Sequence, residues 1–593
     1  MNNEISLCMI VKNEEKCLPT CLESIKDVVD EIIIVDTGST DKTVDIARNY
    51  GAKVYYFKWN NNFSEARNVS LKYATKDWIL IMDADDELRG EYKKNFKLLL
   101  NSKLEDNLVY FFETLNYYGD KPDDNCITIN LNPRMFKNGR GFHYEGEIHN
   151  QLICPNNEHG AICNDVKIYH YGYLDKNIVS KKKRKRNISI LNKLIEKEPN
   201  NKFNYFNLGN EYIALDNPKK ALEYYYKAYE DFNPDTGFSP ALVLRIIVCN
   251  YNIREYTKAL NFIDTATKYY PKFTDLYFFK SLVYKNLGKI TLQIKALNKC
   301  VEIGEPPSQL KFFYGSESFK AYFELGNVYM NFKDYDTAYD YYIKSLKSKL
   351  DFIDPLYCIA HILKEKNISH AKFKSIIEKF FSGSTKGYPV IADIFYKEGL
   401  YKISLEYIQK CEEEKIVTDS IAMLKAKCLI RTGDFDECIN MNSIKVESPF
   451  YTHFSMYRVL SCILSNKIDY ASSILGSFEK NTLSDNDKKL LKIYSELVKL
   501  FKNEPTEIIS ENESQIEYGM ILEICEILLI NMKFDELKIA VNLFNLIDNK
   551  YAFLYLGKLY NKYGFVDLAK KEVLRSIKEF TIYDNEGLDI LKA

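Results

Sequence analysis

Asp83-Ala84-Asp85 places two carboxylates one residue apart, immediately after the apolar run Trp78-Ile79-Leu80-Ile81-Met82. A run of that kind reads as a buried strand. The space past the C-terminal end of such a strand is where open α/β sheets take their ligands. If the backbone stays extended, both side chains fall on one side. Two hard oxygen donors there suit a divalent cation that also takes phosphate oxygens. A third carboxylate, Asp36, follows the apolar stretch Ile32-Ile33-Ile34-Val35 and opens Asp36-Thr37-Gly38-Ser39-Thr40-Asp41. It too lies past a strand end, so the two clusters can meet in one crevice. Taken alone, Asp36 reads equally well as a turn residue.

A second group is His143-Tyr144-Glu145-Gly146-Glu147-Ile148-His149-Asn150-Gln151. Carboxylates and imidazoles in one short segment are the groups that move protons. A loop carboxylate and a hydrogen-bonded structural histidine explain the same residues without chemistry. His170 ends the strand-like Ile168-Tyr169 and offers a further metal donor or a buried ring. Six basic residues run from Lys181 to Arg186. A solvated linker helix is the first reading of such a run. A lid whose Arg186 neutralises a diphosphate comes next, and an anionic membrane surface last.

The elements that must position these residues alternate. Ile5 to Val11 reads as a strand, Glu15 to Ile25 as a helix, and Glu31 to Val35 as a strand. A helix capped by Thr40 or Asp41 follows, then strand Lys53 to Phe57, helix Ser64 to Ala74 and strand Trp78 to Met82. This alternation predicts a mainly parallel sheet covered on both faces. From Leu108 to Tyr171 the pattern is strand and loop. After about residue 176 it becomes helix pairs in the 34-residue register of tetratricopeptide repeats. Tyr205, Leu208, Gly209, Tyr212, Ala221, Tyr225 and Ala228 fit one copy, and Tyr322, Leu325, Gly326, Tyr329, Ala338 and Tyr342 another. Looser copies surround Ala259, Tyr277 and Gly557, and the stretch between about 350 and 550 is degenerate but helical. The expected domains are 1–175, a basic linker helix 176–200, and a repeat solenoid 201–593. Such solenoids present a concave protein- or peptide-binding surface.

Bulk properties narrow the classes. With 81 Lys+Arg against 82 Asp+Glu, the net charge of −1 speaks against a global nucleic-acid-binding field. The 14 cysteines are scattered, without zinc spacing, which fits a reducing cytoplasm. Neither a signal h-region nor a transmembrane run is found in the sequence.

Four strings in order carry a family resemblance: Cys8-Met9-Ile10-Val11-Lys12-Asn13-Glu14, Val35 to Asp41, Phe63-Ser64-Glu65-Ala66-Arg67-Asn68, and Asp83-Ala84-Asp85-Asp86. They resemble family-two glycosyltransferases of the GT-A fold, an α/β Rossmann-like domain, strongly over residues 5–90 and less so to 175. With repeats behind it, the chain also looks like the peptide S-glycosyltransferases of sublancin-type bacteriocins and like flagellin-modifying glycosyltransferases. The resemblance implies that Asp36 binds the nucleotide base, bordered by Val11, Asn13 and Glu14. It implies that Arg67 lies near the nucleotide, Asp83 near the ribose, and Asp85 on Mn2+ or Mg2+, with His170 as a further ligand. Glu145 matches the position expected for the general base, with Glu147 the neighbouring candidate. His149 would orient the acceptor or that base. Asn150 departs from the glutamate usual in related sequences.

The expected activity is inverting, metal-dependent transfer of a sugar from a nucleotide sugar, a UDP-sugar first, to a peptide or protein side chain. The acceptor would be a flagellin or bacteriocin-like peptide held by the repeats, with a homodimer suggested by class alone. A glycan or lipid-carrier acceptor, and a non-catalytic scaffold with a degenerate sugar-nucleotide domain, are the rival readings.

Overall fold

A computed structural model describes residues 3–105, 109–154, 160–174, 181–478, 483–509 and 515–592. The chain forms two compact units, Met1–Pro355 and Leu356–Ala593.

The first unit opens on strand β1 (Ile5–Val11), helix α1 (Leu18–Ile25), β2 (Glu31–Asp36), α2 (Thr43–Asn49), β3 (Lys53–Tyr56), α3 (Phe63–Lys72) and β4 (Trp78–Ile81). There follow β5 (Asp86–Glu87), α4 (Gly90–Leu100), β6 (Val109–Tyr117), β7 (Ile127–Lys137), β8 (His143–Glu145), β9 (Gln151–Ile153) and β10 (Gly160–His170). Alternation along β1 explains why the sheet is covered twice. Ile5, Leu7, Met9 and Val11 join a core with Leu18, Cys21 and Leu22 of α1. Cys8 faces the other way and joins Ile33, Ile79, Ile81, Phe136 and Tyr144.

Eight strands form one sheet in the order β3-β2-β1-β4-β7-β6-β10-β5. The strands of the alternating stretch, β3-β2-β1-β4, are all parallel, as expected. Beyond β4 the sheet is mixed: β7 is antiparallel to β4 and β6, β10 is parallel to β6, and β5 is antiparallel to β10. The physical reason lies in the connections. From Val109 to His170 no crossover helix separates the strands among the described residues, so neighbours can pair antiparallel. Strands β4 and β5 are joined by four residues yet sit at the fourth and last places of the order. The sheet must therefore curl until β5 comes back beside the end of β4.

The helical part of this unit runs from α5 (Lys181–Lys197) through α6 (Lys202–Ile213), α7 (Pro218–Tyr229), α8 (Ser239–Asn252), α9 (Tyr256–Tyr269), α10 (Thr274–Asn286), α11 (Ile290–Ile303), α12 (Phe319–Asn331) and α13 (Tyr335–Ser348). Glycines let paired helices close. A Cβ at Gly209 would lie 2.4 Å from the Tyr225 ring, and one at Gly326 2.5 Å from Tyr342. The segment between α11 and α12 reaches the sheet. Ile129 N–H donates to Phe312 O at 2.8 Å, and Lys311 Nζ lies 3.4 Å from the buried Glu113 carboxylate. This covers the part of β7 that extends past β4, where ladder groups would otherwise be open.

The described secondary structure of Leu356–Ala593 is helical, including the stretch that the sequence shows only as a degenerate repeat. One apolar core from Ala422 to Ile590 runs through it. Near its end Gly557 again allows a close approach: a Cβ there would lie 2.8 Å from Val573 Cγ2.

Candidate active site at the strand ends

Strands β1, β2 and β4 run parallel, so Val11, Asp36 and Asp83 come to one edge of the sheet. Val11 pairs with Asp36 in the ladder, and its carbonyl accepts from Thr37 N–H at 3.0 Å. The buried Asp36 carboxylate accepts the N–H groups of Gly38 at 3.0 Å and Ser39 at 3.1 Å, so it builds its own turn. Asn13 binds that loop from the facing side. It sits at φ 56°, takes Ser39 Oγ on its N–H at 2.9 Å, and accepts Thr40 N–H at 2.8 Å. Glu14 N–H donates to Thr43 Oγ1 at 2.7 Å. These residues make one rigid lip.

Asp83-Ala84-Asp85 is not extended. Asp86 N–H donates back to Asp83 O at 3.0 Å, closing a tight turn. The expectation of two side chains on one side therefore fails, because the turn separates them. Asp83 meets Arg67 of α3, Nη2 to Oδ1 at 2.7 Å. The Arg67 guanidinium also lies 5.5 Å from the Tyr144 ring centroid, while its buried Nε has no hydrogen-bond partner. Burial raises the Asp83 carboxyl, but the charges of Arg67, Arg134 and His170 outweigh it and hold Asp83 well below the usual carboxylate range.

Asp85 turns toward His170. Its Oδ1 lies 3.5 Å from His170 Nδ1, and its carbonyl accepts Tyr171 N–H at 3.0 Å. Burial and the neighbouring Asp83 and Asp86 raise the Asp85 carboxyl, against the pull of His170. The imidazole itself is lowered by burial, yet the Asp86 hydrogen bond and the surrounding carboxylates leave it raised to about 9. A Cβ built at Gly172 would sit 2.5 Å from Asp85 Oδ2 and 2.5 Å from His170 Nε2. Those two donor atoms thus face one point, kept open by a missing side chain.

Asp83, Asp86 and His170 also bring ligand atoms within 4.8 Å of one another. Asp86 is already committed, however. Its Oδ1 takes His170 Nδ1 at 2.9 Å, and its Oδ2 takes Arg134 Nη1 at 2.9 Å and Asp83 N–H at 2.8 Å. Asp85 and His170 Nε2 are therefore the better cation donors, and a carboxylate oxygen with an imidazole nitrogen fits a divalent ion.

The remaining expected residues lie apart from this cluster. Glu145 ends β8, exposed, with His143 Nε2 at 3.1 Å from its carboxylate. Its neighbour Tyr144 is gripped by Asn68 of α3 through bonds of 2.7 and 2.9 Å. His149, at φ 50°, points to the repeats: its Nε2 lies 3.5 Å from Glu211 of α6. Arg184 Nη1 and Asn187 Nδ2 reach the same buried carboxylate at 3.0 and 2.9 Å. The His149–Glu211 contact ties the β8–β9 hairpin to α6. Arg186 does not meet the carboxylates through any contact among the described residues. Its guanidinium lies 5.9 and 5.6 Å from the Trp59 and Phe63 ring centroids. The side chains of residues 181–183, the start of that basic run, lie outside the described residues.

Sequence reasoning gave Asp86 no role as a partner of His170 and did not single out Arg134 or Glu211. Arg134 stands 48 positions from Asp86 in an ordinary strand, and only the curl of the sheet brings them together. The doubled Asp85-Asp86 was the one available signal.

A curled, part-parallel sheet with acidic residues at its strand ends, followed by helical repeats, defines a GT-A-like domain joined to a repeat array. Residues 6–114 match the model of glycosyl transferase family 2. Residues 204–230, 274–303 and 319–352 match the tetratricopeptide repeat. The SPbeta prophage-derived glycosyltransferase SunS of Bacillus subtilis is 32% identical over 293 residues, spanning 47% of this chain and 66% of that relative. A TPR repeat-containing protein of Synechococcus elongatus is 54% identical over 85 residues, 14% of this chain and 21% of its own. Among solved structures, residues 1–349 of S. aureus TarS are 16% identical and cover 44% of this chain and 88% of theirs, with a TM-score of 0.24. No described helix is long and apolar enough to cross a membrane.

Proposed function

We propose that the protein is an inverting glycosyltransferase that uses Mn2+ or Mg2+ and moves a sugar from a nucleotide sugar, first a UDP-sugar, to a peptide or protein side chain. The observation that supports this best is the convergence of Asp85 Oδ2 and His170 Nε2 on the space beside Gly172. Asp85 and His170 would hold the cation. When bound, such an ion offsets the charge that builds on a departing nucleoside diphosphate.

The other residues orient the donor. Arg67 keeps Asp83 charged and aimed, so Asp83 can accept from a ribose hydroxyl. The rim of Val11, Asn13, Glu14 and Asp36 takes the base. Arg186 lies over Trp59 and Phe63, so a role at the diphosphate requires it to swing off them. In the transfer the acceptor forms a bond to the anomeric carbon as the bond to the diphosphate oxygen breaks. The acceptor proton passes to a carboxylate, Glu145 in this reading, which the exposed β8–β9 hairpin offers to an incoming chain. The repeats supply a surface for that chain.

The test is incubation with a panel of nucleotide sugars and Mn2+, measuring nucleoside diphosphate release and the intact mass of candidate peptides. Release that depends on Asp85 and a one-sugar mass gain are expected. Absence of release with every donor, with Asp85→Ala binding nucleotides as the parent does, defeats the catalytic reading.

A further inference from the structure

Asp86 is buried at the centre of a polar chain that crosses the curled sheet. It opens β5, directly opposite His170 of β10 in the antiparallel ladder, so the backbone fixes their separation. Its Oδ2 receives two donors, Arg134 Nη1 at 2.9 Å and the Asp83 N–H at 2.8 Å. Arg134 reaches in from β7 and also touches Ile81 O at 3.3 Å and Thr114 Oγ1 at 3.2 Å, so β4, β5, β6 and β7 all hold it. The remaining oxygen, Oδ1, faces His170 Nδ1 at 2.9 Å.

From this geometry we infer that Asp86 is a positioning residue for His170, and that Arg134 locks Asp86 in that role. The inference rests on the reading that His170 Nε2 holds the cation. A carboxylate at Nδ1 holds that nitrogen as the donor, so once the ring gives up its second proton to a cation the lone pair lies on Nε2, the atom facing Gly172 and Asp85. The same contact fixes the ring plane and raises the donor strength of the imidazole. Asp86 thus acts through the histidine and not on the ion.

Asp86→Asn separates this from a packing role. The amide has nearly the same shape, but the donors from Arg134 and Asp83 claim its one oxygen. Its NH2 then faces Nδ1, which must accept, and the ring proton moves to Nε2, where it blocks ligation. Mn2+ binding to the full chain, without donor, is read from the electron paramagnetic resonance of free Mn2+ for the parent, His170→Ala, Asp86→Asn and the double variant.

The expected result is a loss of about 10–100-fold for Asp86→Asn, and no further loss when it is added to His170→Ala. Parent-like Mn2+ affinity in Asp86→Asn, or an equal loss in both backgrounds, overturns the inference while leaving the cation reading intact. Parent-like affinity in His170→Ala, or no saturable binding by the parent, removes both. Thermal melting confirms that each variant is folded. If Asp86→Asn cannot be purified, Arg134→Lys runs through the same cycle, because lysine keeps the charge but cannot hold Asp86 and Thr114 at once.

Discussion

At Gly172 the absence of a side chain keeps open the space that Asp85 Oδ2 and His170 Nε2 face. The backbone there carries no left-handed strain, so alanine is tolerable to the chain, yet the added methyl would lie 2.5 Å from both Asp85 Oδ2 and His170 Nε2. Gly172→Ala is expected to abolish Mn2+ binding and metal-dependent turnover in a protein that still folds, at an overpacking cost of about 1–3 kcal/mol. Titration calorimetry with Mn2+ beside a thermal melt reads both; unchanged Mn2+ affinity would remove the cradle from the site. The neighbouring carboxylates are not interchangeable. Asp83 is spoken for by Arg67, Asp86 by Arg134 and His170, and Asp85 faces the open space.

Helices and connecting segments carry a second layer of chemistry. Asp275 of α10 accepts the N–H groups of Phe312 and Phe313 at 3.1 Å each, and the hydroxyl of Ser316, so it holds the segment that covers β7. Burial, against those hydrogen bonds, raises its carboxyl from 3.8 to about 7. The folded protein therefore keeps this proton across a range in which the unfolded chain has lost it. Its contribution to stability is full at pH below about 4 and falls away as pH rises toward 7. Asp275→Asn keeps the hydrogen-bonding shape without the charge. Urea unfolding from pH 4 to 7 should show the variant gaining on the parent as pH rises; parallel profiles would exclude the effect. In the repeats, Gly209→Ala drives a methyl to 2.4 Å from the Tyr225 ring. Overpacking of this kind costs about 1–3 kcal/mol, and the urea midpoint measures it.

For the whole molecule, the α/β domain and the first repeats belong to one compact unit. Ile148 packs with Ile190, Leu191 and Leu208, Glu211 ties α6 to His149, and Lys311 pairs with Glu113. A cut after residue 200 leaves these partners bare, whereas a cut after Pro355 follows the boundary of the compact unit. The fragment 1–355 is expected to express as a cooperatively folding protein, and 1–200 to aggregate. Light scattering and circular dichroism decide between them, and a well-folded 1–200 would show that the repeats are dispensable to the domain.

Much of this was legible in order of residues. Local patterning determined the strand–helix alternation to Met82, because period-two and period-3.6 burial is written in nearest neighbours. The glycine and tyrosine positions of the repeats were readable for the same reason. So were the chemical types at the site, since Asp36, Asp83, Asp85 and His170 all follow strand-like runs. Tertiary structure alone decided how they divide the work. The turn at Asp83 parts two carboxylates that alternation would have paired. The curl of the sheet sets β5 against β10 and brings Arg134 to Asp86. Docking of α6 brings Glu211 to His149. Each of these depends on contacts between residues far apart in the chain, and a one-dimensional pattern carries no term for such distances.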